Sequence, residues 1–425
     1  MNDKYIIRRA ESPDDSKKLY NLFSEVFHPQ DVGTLAETMF NHLPRMKNKY
    51  WFIAEEKNTS TIISAFALIP WTWEMEGIRL KVAEMGIVGT KKEHRNQGLM
   101  RILNKEFKNT LEEEKFDLTV IQGIPGFYHN FGYYYSIPMD NHINIALHLI
   151  PEKQEKEEYT FRLAELQDIP FLMQEDEYYR KNFSVSVFRD EANWKYLLTE
   201  SLKTEYGSEF RIIESKEKQE KFYFRVPQEG FGKGLIVSEI SEGISHDALN
   251  SLFIFCRQKA AERDKPYIRF NIHNESTPGR IAVSMGAEKG KPYAWQIKFR
   301  DRESFLGKIA PVLEKRMKNS CFENFSGTFR LEFFKTKTDL IWNKGKLEKV
   351  MPGEGDCHNT FCINADLFPA LCLGHRTWQE LQHNRPDIFP AFQYIRPNIH
   401  TAPDKSALLA DTLFPCKKSW VYEQY

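Results

Sequence analysis

Arg95-Asn96-Gln97-Gly98-Leu99-Met100-Arg101 combines the residue types that hold a phosphate. An apolar run from Leu80 to Thr90 reads as a strand that ends just before this segment. Asn96 to Glu113, with Leu99, Ile102, Leu103, Phe107 and Leu111 on one face, reads as a helix that begins within it. Amides at a helix start have no intrahelical acceptor, and the helix dipole adds partial positive charge there. That geometry suits a phosphate or pyrophosphate. Gly98 removes the Cβ that would hold the ligand off, and Arg95 and Arg101 add charge.

Further along, Gly126-Phe127-Tyr128-His129-Asn130-Phe131-Gly132-Tyr133 follows a short apolar strand, Leu118 to Gln122, and a turn at Gly123-Ile124-Pro125. A tyrosine hydroxyl titrates near 10, so a positioned Tyr128 is protonated at neutral pH and can hydrogen-bond a developing anion and share its proton. It can also simply pack with Tyr133, Tyr134 and Tyr135. His94 and His129 read as exposed. Phe23, Phe27, Asp31 and Glu84 are candidate walls and cation-attracting groups for an amine, since aromatic faces and carboxylates both attract ammonium. At the other end of the chain, Trp420, Val421, Tyr422 and Tyr425 are apolar or aromatic, as a docked tail should be.

These residues must be positioned by a chain of 425 residues, long enough for about three domains. The first block, 1–150, carries a helix from Asp15 to His28, strands at Trp51 to Ala54 and Thr61 to Pro70, and the segments above. Pro151 to Glu158 is charged and reads as a linker. The second block, 159–300, repeats the order strand (Leu235 to Ser241), long helix (Ser245 to Asp264), strand (Tyr267 to Ile272) and short helix closed by Gly286. That order suggests an internal duplication. It has no Arg-x-x-Gly before its helix, so one cofactor site per chain is expected. The third block, 303–425, has strands at Gly327 to Phe334 and Lys337 to Trp342 and helical stretches at Asn364 to Leu373 and Thr377 to Gln382.

Net charge is zero, which argues against a dedicated nucleic-acid or acidic-membrane binder. No apolar run reaches the roughly 20 residues of a membrane span, and the start lacks a signal-peptide stretch, so a cytoplasmic protein is expected. The six cysteines all lie after residue 250 and fit no disulfide framework. Cys357, His358, Cys362, Cys372 and His375 match no paired zinc spacing, so no metal is expected.

Strand, Arg-x-x-Gly-Leu, long helix, buried strand and Gly-Phe-Tyr-His-Asn-Phe-Gly-Tyr together resemble the coenzyme A-binding core of the GNAT acetyltransferases. Met100, where the family usually has a small residue, is similar to the Eis-like (enhanced intracellular survival) subgroup, and so is the Phe127–Tyr133 stretch. The resemblance implies an α/β (α+β) fold class: tandem GNAT folds, the second degenerate, then a sterol-carrier-protein-like α+β domain. It implies acetyl-CoA as co-substrate, its pantetheine arm on Val88, Gly89 and Thr90 and flanked by Gly123 and Ile124. The pyrophosphate would lie on Arg95, Asn96, Gln97, Gly98, Leu99, Met100 and Arg101, with an oxyanion donor near the Val88 amide.

It further implies transfer to a primary amine of aminoglycoside, polyamine or lysine type. Tyr128 would be the general acid, the Tyr425 terminal carboxylate the base, and Phe27, Asp31 and Glu84 acceptor-pocket residues. A homo-oligomer, a hexamer by resemblance, is expected. Gln424 stands where an acidic residue would help hold a polycation. Two alternatives are an enzyme using another acyl donor and a non-catalytic acyl-CoA or lipid-binding protein.

Overall fold

The computed structural model describes residues 4–140, 143–153, 158–230, 232–390, 404–423 and 425. Its largest sheet has the spatial order Tyr5–Arg9, Trp51–Glu56, Thr61–Met75, Ile78–Thr90, Leu118–Ile121, Tyr293–Phe299, Tyr134–Met139, with Val185–Val187 paired on Thr61–Met75. Successive side chains alternate between its faces. Trp51 and Ile53 pack under helices Asp14–Phe27 and Val32–His42, through Leu19, Phe23, Leu35 and Met39. Phe52 and Phe66 pack on the other face against Leu99, Leu103 and Phe107 of helix Leu99–Glu113.

The second block repeats this plan. Thr160–Leu163, Ser208–Ser215, Glu220–Pro227 and Glu239–Ile240 form one four-stranded sheet, and Leu235–Val237, Tyr267–Phe270, Ile143–Ala146 and Glu288–Lys289 form another. In each half, two parallel strands flank a crossover helix. Ile78–Thr90 and Leu118–Ile121 flank Leu99–Glu113; Leu235–Val237 and Tyr267–Phe270 flank His246–Glu262. The halves are also interlocked. Tyr293–Phe299 inserts between Leu118–Ile121 and Tyr134–Met139 of the first sheet, and Ile143–Ala146 inserts between Tyr267–Phe270 and Glu288–Lys289 of the second. Of the linker read at Pro151 to Glu158, residues 154–157 lie outside the described residues.

The third block builds a five-stranded sheet in the order Lys346–Pro352, Lys337–Asn343, Gly327–Glu332, Thr360–Cys362, Phe389–Pro390. Phe329, Leu331, Leu340, Phe361, Phe368, Leu371, Leu413 and Phe414 fill its core. The chain then returns to the first sheet. Ser184 N donates to Lys418 O (2.8 Å) and Trp420 N to Val185 O (3.0 Å). Trp420, Val421 and Tyr422 are buried, so the tail is docked, as its apolar residues suggested. Among the described residues no helix is long and apolar enough to cross a membrane, and no cluster of three or more His, Cys, Asp or Glu could hold a metal ion. Burial pushes the Cys362 and Cys372 thiols up to about 11 and about 12, which makes them inert.

Candidate active site

Strands Ile78–Thr90 and Leu118–Ile121 pair in parallel only from Val82 with Leu118 to Glu84 with Val120. Beyond that point the first strand runs on alone to Thr90, and a cleft opens between them. A bulge sits at its edge. Ala67 pairs with Gly86 and Ala65 with Gly89, so Ile87 and Val88 together oppose Phe66, and Ile87 takes φ +50°. Such a bulge disrupts the ladder locally, and Val88 beside it lines the cleft. A Cβ on Gly89 would lie 3.0 Å from the Phe23 ring and 3.4 Å from Phe27, so glycine allows the helix to close on the strand. Thr90 is fixed by a 2.7 Å hydroxyl pair with Ser64.

The loop that follows is exposed from Arg95 to Gly98. Asn96 and Gly98 adopt φ +61° and +76°. Gly98 is the N-cap of helix Leu99–Glu113, has no side-chain cap, and a Cβ there would meet nothing within 4 Å. The first-turn amides therefore face open space with no side chain competing for them. Tyr5 anchors the loop from beneath: its hydroxyl lies 3.0 Å from His94 Nδ1 and donates to Gln97 Oε1 at 2.5 Å. His94 is thus buried, contrary to the sequence reading, because it fastens the loop to the edge strand; His129 is exposed. Arg95 Nε donates to Thr90 O (3.2 Å), while Leu99 is buried in the sheet face and Met100 half-buried. Arg101 is exposed on the first turn. The corresponding helix of the second half is closed to such a ligand, since Ser245 caps it by accepting from Ala248 N.

Across the cleft, Gly123 O accepts from Tyr293 Oη (2.6 Å) and from Gln296 Nε2 (2.9 Å). Both donors belong to the strand lent by the second half. A Cβ on Gly123 would fall 2.2 Å from Tyr128 Cδ2, so only glycine lets the Tyr128 ring lie against this turn. Ile124 is exposed. The Tyr128 ring is buried against Phe127 (4.9 Å between centroids) and Tyr133 (6.2 Å), but not against Tyr134 or Tyr135. Its hydroxyl has no partner among the described residues. Burial pushes that hydroxyl up to about 12, which keeps it protonated at neutral pH.

A cavity of about 500 Å³ joins these parts. Phe27, Glu84, Val88, Gly123, Ile124, Tyr128 and Tyr425 all line it. Its described lining includes five acidic side chains (Glu84, Asp140, Glu205, Glu229 and Glu423) and no Lys, Arg or His. Asp31 is not brought in: its carboxylate accepts from Thr34 N (3.1 Å) as a helix N-cap, although its own amide bonds Glu205 at 2.6 Å. Gln424 lies outside the described residues. Glu84 is fully buried and accepts from Trp71 Nε1 (2.8 Å) and Tyr425 Oη (2.9 Å). Burial outweighs both hydrogen bonds and pushes its carboxyl up to about 8.

The folded state therefore holds a proton on Glu84 that the unfolded chain releases near its ordinary value of 4.5. Between those values stability falls as pH rises, because the folded state binds the extra proton. Glu84→Gln should flatten this slope, measured as urea midpoints for both proteins between about pH 5 and about pH 8. Identical slopes would show that Glu84 is ionised throughout.

Sequence reasoning missed Arg225. Its buried guanidinium donates to Glu423 O (2.7 Å), to a main-chain oxygen of Tyr425 (3.1 Å) and to Glu239 (3.0 Å), so the second half grips the tail. A signal was present: Arg225 interrupts the apolar run Phe222 to Val226, and a charge inside such a run is seldom buried without a partner. Tyr293 and Gln296 carried no comparable signal.

Residues 7–136 match the family model described as "Acetyltransferase (GNAT) domain". No curated relative matches the chain in sequence. Solved structures match over nearly the whole length at low identity. A GCN5-related N-acetyltransferase from Anabaena variabilis is 14% identical, with 98% of this chain and 99% of that one covered and a TM-score of 0.64. A conserved protein of unknown function from Enterococcus faecalis, titled a probable N-acyltransferase, is 14% identical over 99% of both chains, with a TM-score of 0.67. Eis1 from Mycobacterium abscessus is 12% identical over 99% of this chain and 100% of its own, with a TM-score of 0.59. The splayed strands and the uncapped helix thus lie in the segment that matches a GNAT acetyltransferase domain.

Proposed function

We propose that this chain is an Eis-like enzyme and acetylates a primary amine of a compound carrying several ammonium groups. The observation that supports this most is the shared cavity, where Tyr128 and Tyr425 share a lining with the carboxylates of Glu205 and Glu229 and with no described basic side chain. In this reading residues 1–150 carry the chemistry, 159–300 are a degenerate copy that supplies one wall, and 303–425 deliver the tail. A hexamer is the assembly that the Eis-like reading suggests. Acetyl-CoA, when bound, supplies the thioester. The amides from Asn96 to Arg101, with Arg95, hold its pyrophosphate; Val88, Gly89 and Thr90 line its arm on one side, Gly123 and Ile124 on the other.

The amine must first lose a proton, and in the Eis-like reading the carboxylate of Tyr425, which lines the cavity, is the base. The Val88 amide, beside the bulge, faces the charge that develops on the carbonyl oxygen. Tyr128 hydrogen-bonds the departing sulfur and shares its proton with the developing thiolate, since a hydroxyl held up to about 12 is still protonated when the thiolate forms beside it. A second reading of the base rests on Glu84. Glu84 lines the same cavity and accepts from Tyr425 Oη at 2.9 Å. A carboxyl near 8 is better matched to an ammonium.

Thiol release from acetyl-CoA, measured over monoamines, linear polyamines, aminoglycosides and lysine peptides, tests the activity. Stabilisation by acetyl-CoA with no release on any amine would instead favour the binding-protein reading. Glu205→Gln and Glu229→Gln should each raise KM for a polyamine about threefold to tenfold and leave a monoamine unaffected, because the wall attracts the charges remote from the reacting nitrogen. Equal effects on both would remove the polycation argument.

A further inference from the structure

A second cavity, of about 420 Å³, lies where the first sheet meets the C-terminal block. Lys298, Arg300 and Arg302 line it, with Gly132 and Thr336. Its two acids are engaged elsewhere: Asp301 accepts from Ser304 N (3.1 Å) and Glu303 from Thr338 Oγ1 (2.6 Å). Arg300 is paired with Glu112 at 2.7 Å. Lys298 has no acidic partner among the described residues. Its ammonium has three donors, and the acceptor it meets is Phe131 O at 2.8 Å. Burial, with Lys108 facing it, pulls this ammonium down to about 8, and burial likewise lowers Arg302, whose guanidinium stacks on Phe333. Arg302 is offset in part by Glu303 and Asp301, whereas Lys298, with no carboxylate beside it among the described residues, would be stabilised by an anion.

We propose that this cavity is a phosphate-binding site with Lys298 as its central cation. Phe131 closes the short helix Tyr128–Phe131, so an anion that draws the Lys298 ammonium is felt at the turn carrying Tyr128. Two sources share this chemistry: free phosphate, and the 3′-phosphate of coenzyme A, the latter resting on the cofactor placement proposed above. Lys108 stands two turns from the pyrophosphate loop, about 10 Å along the helix from Arg101, and Lys105 lies between them on the exposed side.

Calorimetric titration of the full chain with inorganic phosphate, coenzyme A and 3′-dephospho-coenzyme A tests the proposal. If the cofactor is the source, coenzyme A binds about tenfold tighter than the dephospho form, and Lys298→Met abolishes the difference while Lys298→Arg keeps it. If free phosphate is the source, it binds wild type and not Lys298→Met, and the two cofactor forms bind alike. The exposed Lys108→Ala should weaken the same titration a few-fold, and serves if Lys298→Met fails to fold. The proposal is overturned if phosphate does not bind and the two cofactor forms are equal, or if Lys298→Met changes neither titration. Binding of dephospho-coenzyme A reports the cofactor reading by itself, so the two failures are separable.

Discussion

Tyr128→Phe is expected to lower kcat by about 10²- to 10⁴-fold and to leave acetyl-CoA affinity unchanged within about threefold. The substitution removes one atom. The ring contacts with Phe127 and Tyr133 persist, and the hydroxyl has no partner among the described residues whose loss would disturb the fold. What disappears is a protonated donor in the same cavity as Tyr425 and Glu84. Because its pKa is raised by burial to about 12, the hydroxyl is a proton source across the neutral range, and the acid limb of kcat should not move with the substitution. Stopped assays of thiol release, set beside calorimetric titration with acetyl-CoA, check both parts. A variant with near wild-type kcat would return Tyr128 to the aromatic cluster as a packing residue.

Extending the chain beyond Tyr425 by a few residues is expected to abolish turnover, a loss of at least about 10²-fold, with acetyl-CoA binding retained. Tyr425 is held from two sides, by Glu84 at its hydroxyl and by Arg225 at a main-chain oxygen, so added residues must enter the acceptor cavity. Bulk alone could block an amine there, and a semisynthetic chain ending in a C-terminal amide separates the causes. It removes the charge without adding volume. If the terminal carboxylate is the base, the amide falls as far as the extension. If the amide keeps its kcat, the base is Glu84, and Glu84→Gln then carries the loss instead.

Much of the site was legible because it is local. The strand ending at Thr90, the Arg95 to Gly98 loop, the amphipathic helix and the Gly126 to Tyr133 segment are neighbours in sequence, and their chemistry follows from residue type and spacing. The loop was read as exposed ligand-facing backbone, and Gly98 does lack a side-chain cap. Asp31 misled for a related reason: an acid before Val32–His42 is a good N-cap, but that helix was not recognised, so its carboxylate looked free. His94 misled because its partner, Tyr5, is distant in sequence and no local pattern marks the pair.

The recurring strand–helix–strand order was likewise visible, but the exchange of Tyr293–Phe299 and Ile143–Ala146 between halves was not. A strand's own pattern states which face is buried and not which sheet receives it.

The sequence by itself determined the strand–loop–helix around Gly98, the place of Tyr128 after a buried strand and the apolar character of the tail, since each depends on contiguous residues and on helix or strand period. The tertiary structure alone decided that Gly123 is fixed by Tyr293 and Gln296, that Arg225 holds the tail, and that Glu84 is buried enough to keep its proton to about 8. Those properties arise from desolvation and from hydrogen bonds between residues up to 341 positions apart. Both depend on which surfaces meet, and that is set by packing rather than by local order.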